Sequence, residues 1–447
     1  MANEAPGEDF LGDLLAKAKR AGADAADALL VESGGQSATW RLGKLEKVER
    51  EESRDLGLRV FIGHRQAILS TADLTAAGLD RLVERAVAIA RAVPEDRYAG
   101  LAGPDEIARE LRPLDLDDGV EPSGERLAEQ AAEAEAEARA VQGVTNSEGA
   151  EAGWSRSRTT LAATNGFFGE TARSRHTLSV SVIAGRNGVM ERDYDFASKV
   201  RAADLPAPAE VGRAAAERAV RRLGARKVRS QSVPVVFDPR VAGGIVRHLV
   251  SAISGPAVAR GTTFLKDRMG EQVFAPGIRI VDDPFRADGL RSRSFDAEGF
   301  AGERRHLIDD GRLATWLLDL ASARQLGLAS TGHAARGVGS PPSPAPTNAW
   351  LEPGAAAPDE LIGEIESGFY VTEMLGMGIS YVTGDYSRGA AGFWIERGEL
   401  AYPVSEVTIA GTLQDIFRNL TPGSDLEFRY GVDAPTVRID GLTVAGQ

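Results

Sequence analysis

Residues 371–419 read VTEMLGMGISYVTGDYSRGAAGFWIERGELAYPVSEVTIAGTLQDIFRN. This stretch parses as strand, glycine-rich turn, hairpin and short helix. Gly376, Gly378, Gly384, Gly389 and Gly392 give the backbone places for positive φ or for close approach by another chain. Phe393 to Val404 folds back at Arg397-Gly398, a dipeptide suited to a tight hairpin turn. Gly389 and Gly392 flank two alanines, so the backbone there is unusually bare. Antiparallel sheet is therefore expected from Val371 to Ala410.

Working outward, the second half opens with a basic linker, Ala225 to Arg229, and a strand, Val233 to Phe237. A helix follows in VAGGIVRHLVSAISGP (241–256), where Val241, Ile245, Leu249 and Ala252 recur at helical spacing. Turns are expected at Asp310-Gly311 and Arg397-Gly398. Short strands joined by tight turns predict antiparallel sheets and no doubly wound parallel sheet. GVGSPPSPAP (337–346) reads as an exposed or partner-facing loop.

The first half reads as helix over Phe10–Ala21, strand over Ala28–Glu32 and strand over Ala38–Glu51. A hairpin over Leu58–Ser70 turns near Gly63-His64. A helix spans Leu74–Val93 and stops at Pro94. A Pro/Gly/Asp-rich connector (Ala102–Pro122) leads to an Ala/Glu helix, Gly124–Val141. Strands follow at Thr159–Ala163 and Leu178–Ala184, the second turning at Asn187-Gly188. A helix over Ala209–Leu223 ends at Gly224. The fold class is α+β: an N-terminal α+β layer domain over 1–225, then a mostly antiparallel β domain with a few helices over 226–447.

Composition limits the functional classes. The chain has 447 residues, 52 Lys and Arg, 65 Asp and Glu, and a net charge of −13. That acidic balance argues against direct nucleic-acid binding, which depends on basic surface and counterion release. No phosphate-cradling glycine loop or dinucleotide fingerprint occurs, so nucleotide chemistry is not expected. There is no Cys, hence no disulfide framework, and a cytoplasmic location fits. The acidic start MANEAPGEDF is not a signal peptide. No window is apolar for long enough to span a membrane.

The glycine-rich run closely resembles the TldD/PmbA family, once called modulators of DNA gyrase, and specifically its PmbA (TldE) branch. Similar wording recurs in FLKDRMGEQV (264–273), in FDAEGFAGERRHLIDDGRLATWLLDLASARQLGLASTGHA (295–334) and in the final IDGLTVAGQ. The resemblance covers about residue 25 to the C-terminus. It implies a two-component metallopeptidase, a heterodimer of a TldD-type and a PmbA-type protein enclosing a chamber where unfolded peptides are cut. Substrates associated with the family include a microcin precursor and a labile antitoxin.

The zinc-bearing TldD branch carries a His-Glu-x-x-x-His helix and a later Cys. A zinc peptidase needs two imidazoles on one helical face, a third ligand and a carboxylate base. Here the matching helix offers only Arg247 and His248. None of the five histidines is followed by Glu, and no Cys exists. The resemblance therefore implies no metal and no catalytic residue in this chain. Zinc is expected only on a TldD-type partner, and this chain would supply chamber wall and partner interface. The second reading is a homodimeric binding or regulatory protein without proteolytic activity; the isolated chain is expected to pair with itself.

Candidate cavity or partner contacts are His333, Asp385, Tyr386, Ser387, Arg388, Gly389 and Gly392. Gly384 to Gly389 faintly suggests a nucleophile elbow, but it is one residue too long and sits between strands. A structural turn with Asp385 or Arg388 in hydrogen bonds is the favoured alternative; lining a peptide cavity is the reading the resemblance supports. His333 could act as donor or base. Without a placed carboxylate or second ligand, a structural hydrogen-bonding role is favoured for it. His248 reads as packed or half-exposed.

Overall fold

The computed structural model describes residues 7–447. Six strands build the first half: β1 (Ala25–Arg41), β2 (Lys44–Ile62), β3 (Arg65–Thr71), β4 (Val144–Ala163), β5 (Phe168–Arg186) and β6 (Val189–Lys199). They form one antiparallel sheet in the order β3-β2-β1-β4-β5-β6. Four helices cover it: α1 (Glu8–Arg20), α2 (Ala76–Ala92), α3 (Gly124–Ala140) and α4 (Pro208–Arg221). Thr75 and Ser123 cap α2 and α3 by accepting amide hydrogens with their hydroxyls, which satisfies donors that a helix start leaves unpaired.

Alternation along the strands decides which side each layer occupies. Ala26, Ala28 and Leu30 pack beneath α1 and α2. Ala38, Ala150 and Ala152 pack beneath α3 and α4. All are even-numbered, so both helix pairs lie on one face, at opposite ends of very long strands. Gly212 lets α4 approach α3 closely, because a Cβ there would fall 2.1 Å from the Ala134 carbonyl oxygen.

The four predicted helices stand within two residues of their expected bounds. Among the strands, one reading merges two elements. Ala38–Glu51 was expected as a single strand, but the chain reverses at Leu42-Gly43, where both residues have positive φ. Alternation continues on both sides of that tight turn, which is why the pattern alone reads as one strand.

The second half contributes β7 (Gln231–Phe237), β8 (Ile280–Asp283), β9 (Arg305–Asp309), β10 (Arg312–Leu313), β11 (Ala334–Ala335), β12 (Ser343–Pro344), β13 (Asn348–Leu351), β14 (Ser367–Ile379), β15 (Asp385–Glu396), β16 (Glu399–Thr412), β17 (Leu420–Pro422), β18 (Val432–Asp433) and β19 (Val437–Ala445). One sheet runs β16-β15-β14-β7-β19-β17, and a further β16–β19 pairing closes five of these strands into a barrel. A second sheet runs β10-β9-β8-β13-β18. Val371 to Ala410 is antiparallel as expected. Two parallel pairings depart from the purely antiparallel expectation, β14 with β7 and β13 with β18. Parallel neighbours need a long connection, and both pairs join segments far apart in the chain. The chain passes from α4 to β7 near residue 225.

The odd-numbered face of the first sheet receives the second half. Leu29, Leu161 and Phe167 pack with Phe295, and Val338 lies against this cluster. A Cβ on Gly57 would meet the Val338 carbonyl oxygen at 2.1 Å. Within the loop 337–346, Val338 lies against the other half of the chain, while Gly337, Gly339, Ser340, Pro341 and Ser343 are exposed, as expected; Ser343–Pro344 forms a short pairing with β11.

Charge is buried at this junction. Asp27 on β1 accepts from Arg59 Nε at 2.7 Å and from Arg336 Nη2 at 2.6 Å. Burial alone would push the Asp27 carboxyl up; Arg59 and Arg336 outweigh it and hold the carboxyl below its ordinary range. Glu298 lies 3.8 Å from Arg59 and accepts the Leu320 amide at 2.8 Å. Burial pushes Glu298 up to about 8, against the pull of Arg59 and with Asp296 adding to the rise. The folded state thus holds a proton there that the unfolded chain releases near the usual Glu value. The resulting stability is complete below about pH 4.5 and is lost as pH rises through about 8. Glu298→Gln should flatten this decline, measured as urea midpoints at several pH values across that window. An unchanged slope would contradict a protonated Glu298.

Candidate functional site

The helix α5 (Pro239–Ala252) organises the main candidate site. Pro239 suits the first helical turn. Asp238 caps it, accepting the Arg240 amide at 2.9 Å while taking the Tyr370 hydroxyl on its other oxygen at 2.9 Å. Ala242, Ile245, Val246, Leu249 and Ala252 are buried. The opposite stripe, Val241, Gly244, Arg247 and His248, lines a cavity of about 500 Å³. β14 and β15 supply Met374, Met377 and Arg388 to the same cavity, and the first half supplies Tyr194 and Arg222. The site is built from both halves.

Its carboxylates are paired. Asp193 holds Arg240 at 3.0 Å and Arg222 at 3.6 Å, and Glu373 holds Arg222 at 2.5 Å. His248 Nδ1 lies 3.1 Å from the Tyr381 hydroxyl, and its ring meets Tyr386 edge-on at 5.7 Å between centroids. Burial pushes the His248 imidazole down to about 4, with Arg388 and Arg247 adding to the effect. It is neutral at pH 7. No free carboxylate stands ready as a base beside it, and among the described residues no three His, Cys, Asp or Glu side chains converge as a metal-binding group. One imidazole does not match the donor set of a tetrahedral zinc site. The arrangement suits binding: a neutral ring, two methionines and several guanidiniums around a concave surface.

The sequence-predicted residues separate into two places. Tyr386 and Arg388 join His248, and Arg388 donates to the Gly376 carbonyl at 3.0 Å. Asp385 and Ser387 alternate to the other side of β15 and are exposed; Asp385 is engaged by the Thr383 hydroxyl. His333 lies elsewhere, buried, with Thr331 at 2.9 Å on Nδ1 and Asp282 at 3.2 Å on Nε2. Asp282 is the placed carboxylate that sequence reading did not find, being 51 positions away. Asp282 is itself engaged by the Thr347 amide and hydroxyl. Sequence reading also missed Tyr381, Arg240 and Arg222; nothing in their local pattern marks them.

With this geometry in view, similarity to known proteins defines the class. Residues 230–446 match the family described as PmbA/TldA metallopeptidase C-terminal domain, 117–223 its central domain and 26–90 its domain 1. The chain belongs to the PmbA/TldD metallopeptidase family. It is 39% identical to the metalloprotease PmbA of Escherichia coli O157:H7, covering 95% of this chain and 93% of that protein. A metalloprotease PmbA homolog of Haemophilus influenzae is 34% identical over 96% of this chain and 94% of its own length. The TldD homolog of the same organism is 25% identical over 64% of this chain and 65% of its own length. Among solved structures, a putative modulator of DNA gyrase from Bacteroides thetaiotaomicron superposes with a TM-score of 0.92 at 25% identity, covering all of both chains. TldE from Thermococcus kodakarensis shares the fold, with a TM-score of 0.87 at 20% identity over 98% of this chain and all of that one.

The two bare glycines have different neighbours. A Cβ on Gly392 would fall 1.9 Å from the Tyr370 carbonyl oxygen, at a bulge opposite Val371. At Gly389 it would meet Leu375 Cβ at 3.3 Å and the Leu375 carbonyl oxygen only at 3.7 Å. Gly392→Ala should therefore destabilise the chain by about 1–3 kcal/mol through overpacking, and Gly389→Ala much less. Thermal melts of the two variants decide this; equal losses would contradict it.

Proposed function

We propose that this chain is the PmbA/TldE-type, non-zinc-binding subunit of a two-component TldD/TldE peptidase acting on unfolded peptides, with zinc carried by a TldD-type partner. One observation carries the reading: α5, which occupies the place where the resemblance puts the zinc helix, offers a single imidazole, neutral and hydrogen-bonded to Tyr381. The absence of Cys from the sequence removes the family's sulfur ligand. That relatives are named metalloproteases is consistent with membership of a proteolytic assembly whose chemistry resides in the other subunit. The His248 cavity then serves as chamber wall, with Arg388 contacting the peptide and the buried Tyr386 supporting His248 from behind. Among the described residues no helix is long and apolar enough to cross a membrane, and a cytoplasmic site of action fits this role.

The alternative is a homodimeric binding or regulatory protein. Reconstitution separates the two. Alone, the purified chain should cleave no unfolded peptide. Mixed with a TldD-type protein from the same organism, it should form a heterodimer whose cleavage a chelator abolishes. Cleavage by the isolated chain would overturn the proposal, and failure to associate with the partner would favour the homodimer.

A further inference from the structure

Three guanidiniums from three segments gather between the halves without carboxylate partners. Arg173 and Arg175 are two residues apart on β5 and so share a face. The Arg173 guanidinium donates to the carbonyls of Leu290 and Ser292, which places Arg291 directly beside this face. The Arg291 amide is fixed by Asn348 Oδ1 at 3.0 Å. Its stem runs over Gly431, where a Cβ would meet Cγ at 2.8 Å. Arg247 reaches the same turn from α5. Its Nη1 would be 3.5 Å from a Cβ on Gly243, which itself abuts the Val432 carbonyl oxygen at 2.7 Å.

Asp433 acts on Arg247 by charge but forms no ion pair with it, its oxygens being taken by backbone amides. Asp433 accepts the amides of Arg429 and Tyr430 on Oδ1 at 3.1 and 2.9 Å, and that of Gly431 on Oδ2 at 3.0 Å. Arg175, Arg247 and Arg291 make no ion pair among the described residues, and the side of each that meets water is exposed. Burial nevertheless pushes the Arg175 and Arg247 guanidiniums down, for Arg247 against the pull of Asp433, and Arg291 adds to both shifts. The Arg247 guanidinium lies near Gly243 and the Arg291 stem over Gly431, so both exposed side chains are held against backbone. In a chain of net charge −13, such local repulsion is relieved by an anion. The cluster lies between the α5 cavity, which Arg247 lines, and a cavity of about 380 Å³ lined by Lys199, Arg286 and Gly431.

We infer that Arg175, Arg247 and Arg291 form a carboxylate-binding subsite that grips an acidic side chain or the terminal carboxylate of a peptide lying along the α5 cavity. Planar guanidiniums suit this because they pair with carboxylates through two parallel bonds. The inference rests on the reading of the chain as a peptide-binding wall.

The test uses the full chain alone, without a partner, and fluorescence anisotropy with short labelled unstructured peptides. Four peptides vary two features independently: Asp/Glu against Asn/Gln, and a free against an amidated C-terminus. The peptide with both charges should bind about tenfold or more tightly than the one with neither, and the two intermediates show which carboxylate is held. Arg175→Ala and Arg291→Ala should each remove most of that preference, with affinity for the uncharged peptide unchanged, whereas Arg247→Ala, which also alters the cavity wall, should remove most of the preference and weaken the uncharged peptide too. Arg247→Lys should retain part of it. Melting curves and the exposed control Arg109→Ala separate binding loss from misfolding. Equal affinity for all four peptides, or a preference untouched by the arginine variants, would overturn the subsite. So would selective saturation by inorganic phosphate without competition by the charged peptide. Binding of no peptide at all would also remove the peptide-wall reading, whereas binding without charge preference sinks this inference alone.

Discussion

The buried carboxylate of Asp27 is the constraint on which the relation between the two halves depends. It receives Arg59 from the neighbouring strand and Arg336 from a loop 309 positions away. Removing one member of such a group leaves an uncompensated buried charge, which costs about 3–5 kcal/mol. The ion cluster contributes less as net stabilisation than as a directional requirement: the second half can dock only where both guanidiniums reach the carboxylate. Around it, Leu29, Leu161, Phe167 and Phe295 supply the apolar area, which is non-directional. Packing provides the attraction and the charges fix the register.

That register has a consequence for the site. The α5 cavity combines Arg192, Asp193, Tyr194 and Arg222 from the first half with α5, β14 and β15 from the second. The Arg222 bridge to Glu373 spans the two. A shift of the halves would open the cavity and release paired carboxylates into it. The site is thus preorganised for binding; its lone imidazole is held neutral by burial, and among the described residues no group of three His, Asp or Glu side chains converges there.

Much of this was legible in the sequence where the determinants are local. Asn187-Gly188, Asp310-Gly311 and Arg397-Gly398 each adopt positive φ at both residues, as tight hairpins demand. Helical periodicity located α1 to α5. The long strands were not legible in full, because their middles are small and polar: Ser33, Gly34, Gly35 and Ser37 on β1, Ser155 and Ser157 on β4. These residues cross a stretch between the two helix pairs and lack the apolar alternation that marks a half-buried strand. The barrel was hidden for a different reason, since β7 pairs with β19 across some two hundred residues of chain. The site divided likewise. Tyr386 and Arg388 stood out within a glycine-rich run, but Asp282 beside His333 and Tyr381 beside His248 are brought in by tertiary contact over 51 and 133 positions.

In the proposed role this chain shapes a peptide-binding wall and the metal sits on another subunit. Native mass spectrometry of the complex with a TldD-type partner, followed by gas-phase dissociation into subunits, tests it most directly. One zinc per heterodimer is expected, retained on the partner, with this chain leaving metal-free. Zinc retained on this chain in stoichiometric amount would contradict it.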